Sequence, residues 1–367
     1  MISSAKGDEI MFFYMPTRVY SEKDCVKNHG KELCSLGTKA LIVTGKKSSG
    51  KNGSLQDVES ALEQNGVPYV IYNQIEENPS IETVMDAREF GLKEGADFVI
   101  GIGGGSPMDA AKAIALMMKH SKKSADFLYE KGADDAYPVA AVPTTCGTGS
   151  ETTPYSILTI HAKRTKSGLP HHIFPKYAFV DGKYLESAPQ SVLNATAVDA
   201  LGHFIESRVN TKATEYSIML CRAGMSIWGR CKEVLTGAKQ ADEKIYADMM
   251  NASTIAGMAI SHTGTSLPHG LSYYLTYERG VAHGRAVGVF LPGYLEAADA
   301  EVRGEILNIL QMDSMEEFRG FLSEVLGKVE IPADLKEHAL EGILSNQAKL
   351  ANCPFTADRA VLEHIFP

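Results

Sequence analysis

The sequence lacks long apolar runs, paired cysteines and an apolar leader. No uninterrupted stretch of about twenty apolar residues occurs, so we expect no membrane-spanning helix. Six cysteines are scattered without a C-x-x-C pair, which argues against a disulfide framework or a thiolate zinc site and fits a reducing compartment. The first ten residues carry charge and no apolar core of a signal peptide. We therefore predict a soluble, cytoplasmic protein.

The sequence also lacks an excess of positive charge. Its formal net charge is −9, whereas nucleic acids and anionic membranes both select a basic surface. We predict neither as a partner. The 367 residues, with 44% hydrophobic and 22% charged side chains, are enough for two domains of an ordinary globular protein.

Short apolar segments alternate with helical ones in the first half of the chain. The strands predicted in this way are residues 11–20, 39–45, 68–72, 97–102, 138–143, 155–160 and 177–180. The helices predicted between them include residues 22–36, 54–65 (with Ser54 as N-cap) and 80–95. This alternation predicts an α/β domain with a doubly wound, mostly parallel sheet.

The secondary-structure pattern of the sequence changes near residues 182–187. From Ser187 onward the pattern is helical, with alanine, leucine, methionine and glutamate dominating. We predict two domains, an α/β domain over residues 1–184 and an all-α domain over residues 185–367, with a cleft between them.

A glycine-rich loop follows the predicted strand at residues 97–102. Its sequence is Gly101-Ile-Gly103-Gly104-Gly105-Ser106-Pro107 and it leads into a helix, so its backbone amides could cradle a diphosphate. We expect Ser106 to cap this helix and Asp109 to complete a capping box. The loop matches neither the G-x-G-x-x-G fingerprint nor a P-loop, and a tight structural turn remains the alternative.

A second loop of small residues, 143–151, follows the strand at residues 138–143. Its hydroxyls and glycines could hold phosphate, ribose or nicotinamide; alternatively they form only a network of turns. Two such loops at the carboxyl ends of strands in one sheet favour a bound ligand.

A carboxylate and an imidazole lie four residues apart in an apolar stretch. On a helix, Asp199 and His203 would share one face and could bind one ion, while Glu206 could orient a ring or pair elsewhere. Two further histidines, His269 and His283, are each followed by glycine. One carboxylate and up to three imidazoles suit a divalent first-row ion such as Fe(II) or Zn(II). Taken alone, such an Asp–His pair is more often a surface pair or part of N-terminal capping than a metal site, and the glycine-rich loop about a hundred residues earlier is what favours the metal.

Together these segments resemble the iron-containing (metal-dependent, group III) alcohol dehydrogenases. Residues 103–112 are similar to that family's GGGSxxDxAK signature, and residues 143–151 to its PTTxGTGSE loop, with Cys146 where alanine is common. Residues 199–206 match its D-A-x-x-H-x-x-E helix, and the two His-Gly pairs match its remaining ligands.

The resemblance implies an enzyme with an N-terminal dinucleotide-binding domain and a C-terminal metal domain. The metal ligands it implies are Asp199, His203, His269 and His283, binding Fe(II) or alternatively Zn(II). The cofactor-binding residues it implies, together with those expected from the loops, are Gly103, Gly104, Gly105, Ser106, Asp109, Thr144, Thr145, Thr148, Ser150 and Lys166. The expected reaction is hydride transfer between NAD(P)(H) and a small primary alcohol or aldehyde, with a metal that stabilises the alkoxide.

The sequence departs from the family pattern at a proposed proton relay. Many members have a further histidine four residues after the third ligand, where this chain has Tyr273. The Tyr273 hydroxyl or the cofactor ribose would then serve as the relay. His262, near a Ser/Thr-rich turn, is the other candidate, and we favour a structural role for it.

The end of the strand at residues 39–45 bears on the choice of cofactor. An acidic residue there would bind the ribose 2′-hydroxyl and repel a 2′-phosphate. Here the residues are Gly45, Lys46 and Lys47, followed by two serines. We therefore predict NADP(H), with Gly45 and Lys46 at the phosphate and NAD(H) as the alternative.

Three other functions compete with this interpretation. A glycerol-type polyol dehydrogenase shares the fold, and a dehydroquinate-synthase-like lyase shares the architecture but needs more basic residues than residues 199–292 supply. A non-enzymatic nucleotide-binding protein would not need four intact ligands. The family resemblance also implies a homodimer or a larger homo-oligomer.

Overall fold

The structure, a computed structural model, describes residues 12–130, 132–163 and 165–367. The strands are β1 (Arg18–Ser21), β2 (Ala40–Gly45), β3 (Tyr69–Ile75), β4 (Phe98–Gly103), β5 (Val139–Pro143), β6 (Ile157–Ile160), β7 (Thr165–Gly168) and β8 (Tyr177–Val180). The helices of the first half are α1 (Cys25–Asn28), α2 (Gly30–Cys34), α3 (Ser48–Lys51), α4 (Ser54–Gln64), α5 (Ile81–Glu94) and α6 (Gly105–Lys119).

The second half of the chain is helical. Its longer helices are α7 (Gln190–Arg208), α8 (Glu215–Gly229), α10 (Glu243–Thr263), α11 (Leu267–Arg279), α14 (Ala300–Ile309), α15 (Met315–Leu326) and α16 (Ala333–Ser345). Its shorter helices are α9 (Lys232–Leu235), α12 (His283–Gly288), α13 (Leu291–Ala297), α17 (Gln347–Leu350) and α18 (Arg359–Ile365).

Six strands form one parallel sheet in the order β1-β8-β5-β4-β2-β3. Strands β2, β4 and β5 are buried along almost their whole length because helices cover both faces of the sheet. All six strands point the same way, so the loops after β2, β4 and β5 meet at one edge of the sheet. The predicted α/β class and the helical second half are both confirmed.

Several predicted elements differ from the observed ones. Residues 12–17 of the first predicted strand are irregular, and Met11 lies outside the described residues. The prediction that residues 155–160 form a strand of the parallel sheet is wrong, because β6 pairs with β7 in a separate antiparallel hairpin. Ser54 is not the N-cap of α4, because Gly53, at φ 82°, takes that position and Ser54 is inside the helix.

The predicted capping of α6 is wrong for a physical reason. Gly104 is the N-cap and no side chain caps the helix. The Ser106 hydroxyl accepts instead from the backbone amide of Asn78, 3.0 Å away. The Asp109 carboxylate does not cap the helix; it accepts hydrogen bonds from Ser150 Oγ and from the amide of Ile157, 2.9 Å away. Contacts with distant segments have thus replaced local capping.

The two halves of the chain pack closely where the loop after β5 meets α10. A Cβ atom on Gly149 would lie 2.4 Å from Gly257 Cα, so only glycine allows the two backbones to approach this far. Thr152 Oγ1 donates to the carbonyl of Thr254, 3.0 Å away, across the same contact. None of the helices in the described ranges combines the length and the apolar character needed to cross a bilayer.

Candidate active site

A cleft of about 730 Å³ lies between the carboxyl edge of the sheet and the helices of the second half. One wall comes from the glycine-rich loop at the start of α6 and the loop after β5. The other comes from α7, the end of α10, α11 and α12. Open parallel sheets bind ligands at this edge, so the cleft is the candidate active site.

Asp199, His203, His269 and His283 converge in this cleft. Asp199 and His203 lie one turn apart on α7, and the other two lie on α11 and α12. Asp199 Oδ1 is 3.4 Å from His269 Nε2 and 3.6 Å from His283 Nε2. The rings of His203 and His269 stack with centroids 4.5 Å apart. The first three residues can place one ligand atom each within 4.8 Å of one another.

Two atoms of this cluster are available to a cation. Asp199 Oδ1 and His269 Nε2 are buried, and neither has a hydrogen-bond partner among the residues that the structure describes. An unpartnered buried oxygen and nitrogen are costly unless an ion satisfies them. A carboxylate with three imidazoles fits a divalent first-row metal.

Hydrogen bonds on the far side of two rings fix their orientation. His203 Nδ1 donates to the carbonyl oxygen of Gly147, 3.1 Å away. His269 Nδ1 donates to Glu206 Oε2, and Glu206 Oε1 accepts from the amides of Ser266 at 2.7 Å and His269 at 3.2 Å. When Nδ1 alone carries the proton, Nε2 of each ring offers a lone pair to an ion.

The pKa values of the four candidate ligands indicate which of them already have the charge state that binds a metal. Burial lowers the pKa of His203 to about 4 and that of His283 to about 3, so both rings are neutral. Burial acts to raise the pKa of Asp199, but the neighbouring histidines outweigh it and hold that pKa below its ordinary range. Burial alone would lower the pKa of His269, but Glu206 and Asp199 raise it to about 9. His269 is therefore protonated in the metal-free protein, and an ion that binds at Nε2 would displace that proton.

The glycine-rich loop and the loop after β5 touch each other. A Cβ atom on Gly105 would lie 2.8 Å from Thr148 Cγ2, so a side chain there would push the loops apart. The predicted cofactor residues of these loops that line the cleft are Gly104, Gly105, Ser106, Asp109, Thr145, Thr148 and Ser150. Gly103 and Thr144 are buried behind the cleft wall, where the Thr144 amide donates to the Gly103 carbonyl, 2.8 Å away.

The remaining predicted cofactor residues lie at the rim and near the metal ligands. Gly45 lines the cleft together with Ser48, whereas Lys46 is exposed beside it and does not line it. Lys166, on β7, lines the cleft and donates to Asn78 Oδ1, 2.8 Å away. Burial lowers the pKa of Lys166 to about 8.

Tyr273 lines the cleft beside the ligands, with its ring 6.1 Å from that of His283. The ammonium groups of Lys166 and Lys349 lie 5.4 and 5.9 Å from the centre of the Tyr273 ring. Burial raises the pKa of Tyr273, and Glu206 adds to the effect, so the hydroxyl keeps its proton.

His262, the other relay candidate, has both ring nitrogens engaged elsewhere. Nδ1 donates to the carbonyl of Met258, 2.8 Å away, and Nε2 accepts from the Tyr14 amide at 3.1 Å. Its ring stacks on Phe13, with centroids 4.6 Å apart. These contacts give His262 a structural role at the end of α10.

Sequence reasoning assigned no role to three buried or half-buried charges near the cleft. Lys112 and Glu151 are buried beside the two loops, and Lys349 approaches Tyr273 from the C-terminal region. The signal for Lys112 and Glu151 was available, because both are fixed positions of the two motifs. No local sequence motif points to Lys349. It lies on α17, 76 residues after Tyr273 in the chain.

Comparison with known protein families gives two matches that together span most of the chain. Residues 16–182 match the family model described as "Iron-containing alcohol dehydrogenase". Residues 193–361 match the model described as "Fe-containing alcohol dehydrogenase family, C-terminal".

Individual proteins give the same result. Long-chain-alcohol dehydrogenase 1 of Geobacillus thermodenitrificans is 31% identical over 362 residues, covering 91% of this chain and 90% of that protein. Lactaldehyde reductase of Escherichia coli is 33% identical over 274 residues, covering 73% and 70%. Among solved structures, an iron-containing alcohol dehydrogenase of Thermotoga maritima is 38% identical, with a TM-score of 0.89, and the match covers 97% of this chain and 98% of that one.

Proposed function

The chain belongs to the iron-containing alcohol dehydrogenase family, and on that basis we propose that it interconverts small primary alcohols and aldehydes in the cleft. The family assigned from the motifs is confirmed, and the chain is an oxidoreductase that uses a nicotinamide dinucleotide. The metal, the choice between the two dinucleotides, the substrate and the site residues are proposals.

We propose that Asp199, His203, His269 and His283 bind Fe(II), with Zn(II) as the alternative. The observation that carries this proposal is the pair of buried, unpartnered atoms, Asp199 Oδ1 and His269 Nε2, among three neighbouring ligand atoms. When bound, such an ion supplies Lewis-acid chemistry, which favours the alkoxide form of an alcohol and polarises an aldehyde carbonyl.

The protein's own groups position the reactants. Gly147 and Glu206 hold two of the imidazoles in the tautomer that presents Nε2 to the cleft. The protonated hydroxyl of Tyr273 is the group we propose as hydrogen-bond donor towards the reacting oxygen, in place of the missing histidine.

We propose that the dinucleotide lies along the two loops with its diphosphate at the start of α6. Gly104, Gly105 and Ser106 line the cleft at the N-terminus of α6, and a helix N-terminus is the usual environment for a diphosphate. NADP(H) is the proposed form, because Gly45 and Ser48, which line the rim, carry no carboxylate and Lys46 and Lys47 are exposed beside them. Two glutamates that follow the neighbouring β3, Glu76 and Glu77, also line the cleft. NAD(H) remains the alternative form.

The substrate proposed is a small, weakly polar alcohol or aldehyde. The cleft walls include the apolar side chains of Ile157, Val192 and Ile260. Tyr155 adds an aromatic wall, and its hydroxyl is engaged by the carbonyl of Ile260 at 3.1 Å. Such a lining favours carbon chains over charged groups.

We also propose a homodimer in the cytoplasm, formed through the edge of the sheet. Strand β1 pairs with β8 on one side and is an edge strand on the other, and edges of this kind are usually covered. The residues that precede it include the exposed rings of Phe12, Phe13 and Tyr14. All six cysteines are free thiols, as expected in a reducing compartment.

The test is anaerobic reconstitution of the purified protein with Fe(II) or Zn(II), followed by absorbance of the nicotinamide band with butanal. We expect metal-dependent oxidation of NADPH that is faster than that of NADH. A preference for NADH would overturn the proposed cofactor and keep the reaction. Turnover of glycerol but not of butanal would favour a polyol dehydrogenase, and turnover by a verified metal-free protein would contradict the proposed site.

A further inference from the structure

Two charged residues of the motifs, Lys112 and Glu151, take no part in the site described above. Lys112 is fully buried on α6, and Glu151 follows the loop after β5. Glu151 Oε1 accepts from Thr254 Oγ1 on α10, 2.8 Å away. Charged side chains are seldom buried completely unless each is paired, so the surroundings of the ammonium group are informative.

The ammonium group of Lys112 joins α6 to the loop after β5. It donates to Ser150 Oγ at 2.8 Å and to the carbonyl of Tyr155 at 2.7 Å, and it lies 3.7 Å from Asp109 Oδ1. Ser150 in turn donates to the same carboxylate of Asp109. One buried cation therefore fixes both loops proposed to hold the dinucleotide, as well as the backbone of Tyr155 in the cleft wall.

Gly147, three residues before Ser150 in the same loop, contacts a proposed metal ligand. The carbonyl of Gly147 accepts from His203 Nδ1 at 3.1 Å. A Cβ atom on Gly147 would lie 2.7 Å from the carbonyl oxygen of Thr196, so the loop backbone lies directly against α7. A shift of Ser150 would therefore move the hydrogen-bond acceptor that sets the tautomer of His203.

We propose that Lys112 is a positioning residue that holds residues 144–151 in one conformation, so that a single loop both receives the dinucleotide and aligns the metal ligand His203. The proposal rests on the proposed function, because it assumes a metal at His203 and a dinucleotide at the loops. It differs from a purely structural role, in which the buried ammonium group would affect only stability.

The test compares Lys112→Met with Lys119→Met in the full-length protein. Both lysines lie on α6, but the Lys119 side chain is 42% exposed, pairs with Asp135 at 4.0 Å and lies 5.5 Å from the centre of the Tyr137 ring, away from both loops. The measurements are the melting temperature without metal, the affinity for Zn(II) by chelator competition, the absorption spectrum of the Co(II)-substituted protein and the affinity for NADPH by fluorescence.

We expect Lys112→Met to weaken Zn(II) binding by roughly tenfold, the lower end of the effect of partners that orient ligands. We also expect an altered Co(II) spectrum and weaker NADPH binding, whereas Lys119→Met should match the wild type. A folded Lys112→Met protein with a lower melting temperature but wild-type Zn(II) affinity and Co(II) spectrum would overturn the proposal.

Ser150→Ala serves if Lys112→Met does not fold, because it removes only the hydroxyl between Lys112 and the loop. Weaker Zn(II) binding by Ser150→Ala supports the proposal, and unchanged Zn(II) binding with an unchanged Co(II) spectrum overturns it. Measurements on the wild type distinguish failure of the proposed function from failure of the role proposed for Lys112. If it binds neither Zn(II) nor NADPH the proposed function fails, whereas if it binds both and the variants match it only the role of Lys112 fails.

Discussion

Replacing Glu206 by glutamine tests whether hydrogen bonds behind a ligand, and not the ligand set alone, decide the affinity for metal. Glu206 is fully buried and uses both oxygens: Oε2 accepts from His269 Nδ1, and Oε1 accepts from the amides of Ser266 and His269. A glutamine side chain has nearly the same shape but only one accepting oxygen.

Either orientation of that glutamine amide leaves a conflict. If its oxygen stays with the two backbone amides, its NH₂ group faces His269 Nδ1. The ring proton must then move to Nε2, where it occupies the lone pair needed by the ion. If the amide is flipped, two backbone N–H groups face an NH₂ group and lose their acceptor, at a cost of about 1–3 kcal/mol per group.

The expected result of Glu206→Gln is a 10- to 100-fold loss of metal affinity, or about 1.4–2.7 kcal/mol. The assay is chelator competition with Zn(II), together with ¹⁵N chemical shifts of the His269 ring nitrogens in the metal-free protein. Glu341→Gln, an exposed site on α16, is the matched control. A folded Glu206→Gln protein with wild-type metal affinity would refute the reasoning, because the tautomer would then not matter.

Three further predictions follow from single positions. Gly45→Asp should reverse the preference from NADPH to NADH in steady-state assays, because a carboxylate at the end of β2 repels a 2′-phosphate; an unchanged preference would place the phosphate elsewhere. Burial acts to raise the pKa of Asp97, but hydrogen bonds from two backbone amides and the Thr38 hydroxyl outweigh burial and lower it. The ionised carboxylate therefore stabilises the folded protein above the unfolded pKa of about 3.9, and this stabilisation is lost as pH falls through the folded pKa. Asp97→Asn should therefore cost roughly 1–2 kcal/mol in urea unfolding at pH 7 and much less near pH 2, and an equal cost at both would contradict the assignment. In Gly284→Ala the new methyl group would lie 1.7 Å from the Ala195 carbonyl oxygen, so we expect at least about 1–3 kcal/mol of destabilisation and loss of the bound metal, which thermal unfolding and metal analysis would detect.

Much of the fold could be predicted from local sequence because its signals are local. The N-cap of α5 is Ser80, whose hydroxyl accepts from the Thr83 amide, and its C-cap is Gly95 in the left-handed conformation. Both features follow from residue type and spacing alone. Asp199 and His203 could be proposed as ligands for the same reason, since they are one helical turn apart.

Predictions failed where a distant segment competes with a local partner. Ser106 has the residue type and position of a helix cap, but its hydroxyl accepts a hydrogen bond from the amide of Asn78, 28 residues earlier. Strand β6 shows the reverse case: it has the pattern of a sheet strand, but the neighbouring β7 pairs with it in a hairpin. Periodicity contains no information about which of two possible partners lies closer in space.

The same limit explains why sequence identifies a set of ligands more readily than the geometry that makes them a site. A metal bound by Asp199 and three imidazoles requires each ring to present an unprotonated nitrogen. For His203 that condition is met by a carbonyl 56 residues away, and for His269 by a carboxylate 63 residues away. Only the tertiary fold brings these acceptors into place, so a chain with the same four ligands but a displaced loop would bind metal less tightly. The glycine and the glutamate of the motifs are therefore explained by the hydrogen bonds that they make behind the rings, in addition to their place in the sequence pattern.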